Sequence, residues 1–157
     1  MSIVEDVNAA IVQAMRDREA GRLSALRMLK SALTNKAVEK GHALDDVEAR
    51  QVVTSLVKQR KDSAEQFTAG ARPELAAKET AEIAILETYL PPAPEAAAVE
   101  LAVREAIAET RAVSPKDMGR VMKAVMARLA GQSVDGRAVN DLVRKLLDEA
   151  GRAKGVE

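Results

Sequence analysis

The chain has no cysteine and no tryptophan, and only one histidine, one phenylalanine and one tyrosine among its 157 residues. The missing cysteine excludes disulfides, thiolate nucleophiles and zinc–sulfur centres, and fits a reducing cytoplasm. With Phe67 and Tyr89 as the whole aromatic complement, base stacking on an aromatic platform is excluded as a recognition mode. Net charge is missing too. The 24 basic residues are cancelled by 24 acidic ones, so a nucleic-acid role has to rest on a local patch. No stretch approaches the roughly 18 consecutive apolar residues of a membrane span. The opening MSIVEDVNAA lacks the basic region and apolar run of a signal peptide.

What is there is helical period. Apolar residues make up 47% of the chain, and they recur three and four apart, with no long alternation of strand type. Ser2 with Glu5 three residues on reads as a capping box opening a first helix, whose apolar face is Ile3, Val7, Ile11, Ala14 and Met15. A second helix is expected over about 22–40, ending at Gly41. Asp45 and Glu48 open a third, which runs to Gly70, and Pro73 opens a fourth, which reaches Tyr89. Then three prolines fall within four positions, Pro91, Pro92 and Pro94, and helix cannot continue. Three shorter helices are expected beyond, over about 95–110, 115–130 and 137–150, the last closed by Gly151 with a frayed tail from Arg152 to Glu157. The expectation is an all-α chain with a four-helix unit over residues 1–90 and a three-helix unit over 95–157.

The sixth of these helices has the fullest start signal. Ser114 suits the N-cap, Pro115 the first helical position and Asp117 the third. Met118, Val121, Met122, Val125, Met126 and Leu129 then form one stripe for burial, opposite Lys116, Arg120 and Lys123. Gly119 stands one turn in, where alanine is the better helix former by about 1 kcal/mol. A glycine kept there points to another backbone close by, from a neighbouring helix or a ligand.

Few residues form a chemical constellation. His42 lies in the turn between the second and third helices, where a solvated role outweighs a catalytic one. There is no nucleophile elbow, P-loop or dinucleotide-binding glycine pattern. Asp45/Asp46 suits a helix N-terminus, and without histidine partners the acidic pairs do not make a di-metal site. No catalytic residue, metal ligand or cofactor site is therefore assigned. Arg60 does stand out, because it falls in the apolar stripe with Leu56, Val57, Ala64 and Phe67. It lies ten residues before a turn near 70–72, with Glu82 ten after it and Glu79 one turn nearer. The reading favoured is a partly buried ion pair of Arg60 with Glu79 or Glu82; the other is an arginine open to a phosphate or carboxylate. From Ser114 to Lys145 seven basic residues face three acidic ones. Two helix starts in that stretch add backbone N–H donors suited to anions. Solvated surface and phosphate-binding patch both remain open. The candidates for the latter are Lys116, Arg120, Lys123, Arg137 and Arg144.

The run from Ser114 to Met122 resembles the late motif of the GatB/YqeY family. Three further stretches are similar to that family's pattern, in order: Leu26 to Leu33 with Asn35-Lys36, Lys58 to Phe67, and Lys78 to Ile83 leading to Tyr89-Leu90-Pro91. The family includes small stand-alone YqeY-type proteins and the tail of the B subunit of the amidotransferase that makes glutaminyl-tRNA(Gln). The resemblance implies an all-helical two-part fold and a link to tRNA. A family-level label of carbon–nitrogen ligase with glutamine as amide donor is inherited from the larger enzyme, whose catalytic parts this chain lacks. The expectation is a cytoplasmic tRNA-binding accessory module. The alternative is a non-catalytic interaction module docking on an amidotransferase or a tRNA synthetase.

Overall fold

The computed structural model describes residues 1–155. Among them are seven α-helices and no strand: α1 (Ile3–Arg16), α2 (Ala20–Lys40), α3 (Asp46–Ala69), α4 (Pro73–Glu87), α5 (Ala96–Thr110), α6 (Met118–Arg128) and α7 (Gly136–Gly155), with one 3₁₀ turn at Pro115–Asp117. The chain is all-α. It divides into two compact units, one of Met1–Leu90 and one beginning at Pro91.

Local chemistry sets the helix starts. At α1 the Ser2 side chain accepts the Glu5 N–H while the Glu5 carboxylate accepts the Ser2 N–H. Asp45 and Glu48 form the same reciprocal box at α3. A further cap crosses between helices, since Asp46 Oδ1 accepts the Ile3 N–H at 2.9 Å. The first turn of α1 is thus held by the first turn of α3. The first unit's core lies between these helices. Val7 of α1, Leu29 and Leu33 of α2, Val53 and Val57 of α3, and Ile83 and Leu86 of α4 are buried together.

The helix ends depart from the simplest expectation. Gly41 closes α2 in the left-handed region, at φ 75°. Gly70 does not do so for α3: it stands at φ −83°, and Ala71 takes the left-handed position at φ 55°. The Arg72 N–H reaches Phe67 O and the Ala71 N–H reaches Thr68 O, which is a Schellman pairing one residue beyond the glycine. Arg18 after α1 and Arg111 after α5 also occupy left-handed positions without being glycine.

In the second unit Val103 and Ala106 of α5, Val121 and Val125 of α6, and Val139, Val143 and Leu147 of α7 form the core. Met118 and Met122 pack against it, but Met126 is 41% exposed, so the expected stripe is narrower by one residue. Ser114 makes no side-chain cap. The Asp117 carboxylate instead accepts the Val113 N–H at 3.0 Å, which ties the turn to the loop before it without capping the helix. Helix α7 runs through Gly151 to Gly155 rather than stopping near 150. A Cβ at Gly151 would sit 3.5 Å from the Val113 carbonyl oxygen, an ordinary contact, so the glycine is not a helix end and the packing does not require it. Of the expected frayed tail, Arg152 to Gly155 is helical, and Val156 and Glu157 lie outside the described residues. The proline segment belongs to this unit: the Ser133 hydroxyl donates to Pro91 O at 2.6 Å and its N–H to Pro92 O at 3.4 Å.

Candidate nucleic-acid interface and a buried ion triad

Lys116, Arg120, Lys123, Arg137 and Arg144 are all exposed. The 3₁₀ turn carries Lys116, α6 carries Arg120 and Lys123, and α7 carries Arg137 and Arg144. Arg120 and Lys123 are three apart and share a face of α6, a helix with no acidic residue along its length. Lys116 and Lys123 form no ion pair or hydrogen bond to the rest of the described chain, so their ammonium groups are open to a ligand.

Two other cations of this region, Arg120 and Arg128, are paired with carboxylates. Arg120 Nη2 pairs with Asp117, and the Val113 N–H together with Arg120 holds the Asp117 carboxyl below the usual carboxylate range. Arg128 bridges to α5, with Nη1 2.6 Å from Glu105 and Nη2 2.7 Å from Glu109. Those bonds, that to Glu109 first, push the Arg128 guanidinium above its ordinary value. Arg144 lines a shallow surface groove in which Asp141, Asp148 and Glu149 offset Arg144, Lys145 and Arg152. The start of α7 is also occupied. Asp135 Oδ1 accepts the Arg137 N–H at 3.0 Å and the Ala138 N–H at 3.4 Å, so α7 begins on a carboxylate already in place. Gly119 has nothing within 4 Å of where a Cβ would stand, so no neighbouring helix explains it.

In the first unit, Arg60 of α3 faces α4. Its Nη1 lies 3.1 Å from Glu79 and bonds Glu82, and its Nη2 lies 3.4 Å from the sulfur of Met28 on α2. The three side chains are 12%, 19% and 10% exposed, and Arg60 Nε is buried without a partner. One guanidinium therefore faces two carboxylates at the junction of α2, α3 and α4. The excess negative charge favours holding the cation in place over presenting it to an anion. Sequence reasoning missed Met28, because its approach to Arg60 depends on how α2 packs.

His42 is exposed, with Nδ1 2.9 Å from the Ala43 carbonyl oxygen and Nε2 3.5 Å from Glu48. The same glutamate accepts from Lys40 at 2.9 Å, and that bond, with the Asp45 N–H, lowers its carboxyl below the usual range. Among the described residues no group of three or more histidine, cysteine, aspartate or glutamate side chains is arranged to hold a metal ion. No helix there is long and apolar enough to cross a membrane.

Comparison with known proteins places these features. The profile of the family described as Yqey-like protein matches residues 4–147, nearly the whole chain. Curated relatives carry the name altered inheritance of mitochondria protein 41, mitochondrial. The Saccharomyces cerevisiae protein is 31% identical over 90 residues, covering 57% of this chain and 49% of the relative. The Lachancea thermotolerans protein is 31% identical over 99 residues, covering 62% and 53%. The Candida glabrata protein is 26% identical over 102 residues, covering 64% and 56%. The chain spans about half the length of the curated relatives it matches. The match through both compact units, in an all-helical chain, establishes that this protein belongs to the YqeY-like family.

Proposed function

We propose that the protein is a tRNA-binding accessory module that uses the second unit to hold the RNA backbone. The observation that supports this best is that α6 has no acidic residue of its own, while exposed Lys123 stands one turn from Arg120, with Lys116 on the preceding 3₁₀ turn. A chain without an aromatic platform has to recognise folded RNA by phosphate and shape, and flexible exposed ammonium groups suit that task. The link to amidotransferase rests on the GatB/YqeY resemblance, and this reading assigns the chain no chemistry of its own. It needs an aqueous compartment that contains tRNA, which the cytoplasm supplies. The test is a titration with bulk tRNA across a salt series. Lys116→Glu with Lys123→Glu should weaken binding to all tRNAs alike and flatten the dependence on salt. Salt-insensitive binding, or none, would remove this reading.

A second reading, docking on an amidotransferase or synthetase, is supported by apolar side chains left in solvent on α1. Val12 is 47% and Met15 53% exposed, three residues apart on one face. Co-purification of such an enzyme, lost with Val12→Ser and Met15→Ser, would favour it.

A further inference from the structure

Helix α2 carries a surface of a different kind. From Ala20 to Val38 the chain has Arg22, Arg27, Lys30 and Lys36 and no acidic residue. Leu26, Leu29 and Leu33 turn into the core. On the outward side Ser24, Arg27, Lys30, Ser31, Thr34 and Asn35 are all exposed, over about 16 Å of helix at 1.5 Å per residue.

None of these six side chains forms a hydrogen bond or ion pair within the described chain. Thr34 is the telling member. The helical threonines Thr54, Thr68, Thr80 and Thr110 each donate to the carbonyl four residues back. Thr34 leaves its hydroxyl uncommitted. Two carboxylates of the neighbouring α4 are committed: Glu79 and Glu82 are bound by Arg60, whose Nη2 touches Met28 of α2. The face therefore offers two guanidinium or ammonium groups, three hydroxyls and an amide, with no carboxylate of its own to repel an anion.

We infer that the outward face of α2 is a second contact surface for the phosphate backbone of folded RNA. Arg27 and Lys30 supply the charge, and Ser24, Ser31, Thr34 and Asn35 supply hydrogen bonds to phosphate and ribose oxygens. Contacts of this mixture are those that position nucleic acid without reading its sequence. An acidic protein surface would use the two cations but would have less call for a row of uncommitted hydroxyls. The inference rests on the tRNA-binding reading and places part of the contact on the first unit.

The test is tRNA titration of the full chain at several salt concentrations, comparing Arg27→Gln/Lys30→Gln, Lys116→Gln/Lys123→Gln and the four-site variant. Both pairs are exposed helix or turn positions, and glutamine keeps helix propensity, so the fold is kept; thermal melts check this. The α2 pair should weaken binding about tenfold and lower the log–log salt slope by about 1.5, as expected when two phosphate contacts are lost. Ser31→Ala/Thr34→Ala should weaken binding without changing that slope. Unchanged affinity and slope in the α2 pair, with loss in the Lys116/Lys123 pair, would overturn the α2 surface and keep the RNA reading. Absence of binding by the unaltered chain would overturn both, and protein capture lost in the α2 pair would reassign the face to a protein partner.

Discussion

Asp117 accepts the backbone N–H of Val113 at 3.0 Å. The carboxylate thereby ties the 3₁₀ turn back to the end of the preceding loop, where Ser114 makes no cap of its own. The same carboxylate holds Arg120. Because these hydrogen bonds favour the ionised form, the folded carboxyl titrates below the ordinary 3.8, the Val113 N–H being the larger cause. The sign follows from linkage. A group whose folded value is depressed contributes stability that is present above its unfolded value, and loses it as pH falls through the folded one. In a carboxyl-carbon titration by NMR the Asp117 midpoint should fall below 3.8. Asp117→Asn should remove this part of the acid sensitivity, which acid unfolding of the two proteins would compare. A midpoint at or above the ordinary value would refute this tie.

The second expectation concerns Arg60. Removing it leaves Glu79 and Glu82 facing each other in a partly buried place, so Arg60→Ala should destabilise the first unit in urea unfolding, by less than the roughly 3–5 kcal/mol of a fully buried pair. Glu79→Gln should cost less than Glu82→Gln, since Glu82 is the more buried of the two. A double-mutant cycle between Arg60 and Glu82 should show coupling above about 1 kcal/mol. Additive effects would mean that the two side chains do not support one another.

Two small substitutions should stabilise the protein. Gly119 lies in open space inside a helix, so Gly119→Ala should gain up to about 1 kcal/mol. Ala71 sits at φ 55°, and Ala71→Gly should relieve about 1 kcal/mol of left-handed strain, partly offset by the freer unfolded chain. Thermal melts measure both. If Gly119→Ala stabilises the fold yet weakens tRNA binding, the glycine serves a ligand that approaches the α6 backbone.

These cases show which features a single sequence makes legible. The boxes at Ser2/Glu5 and Asp45/Glu48 depend on residues three apart, and both ends of the interaction are visible in the chain. Periodicity gives the helices for the same reason, and Arg60 with Glu82 is readable from equal distances on either side of one turn. Gly70 misleads because glycine marks the region of a helix end, while the hydrogen bonds to Phe67 and Thr68 decide which residue turns left-handed. Local charge from Ser114 to Lys145 is overstated, because the carboxylates that engage Arg128 come from Glu105 and Glu109 on another helix. The α2 face has a sequence signal, the long interval without Asp or Glu. Its chemical meaning depends on side chains left unbonded, which sequence does not report.

The bonds from Ser133 to Pro91 and Pro92 have a practical consequence for dissecting this protein. An excised second unit that starts at Glu95 would lose both carbonyl acceptors and leave the Ser133 hydroxyl and amide to water. One that starts at Pro91 would carry its own clasp. The natural cleavage point for a fragment study is therefore the Leu90–Pro91 peptide bond, upstream of the proline run, and a tag or protease site belongs there.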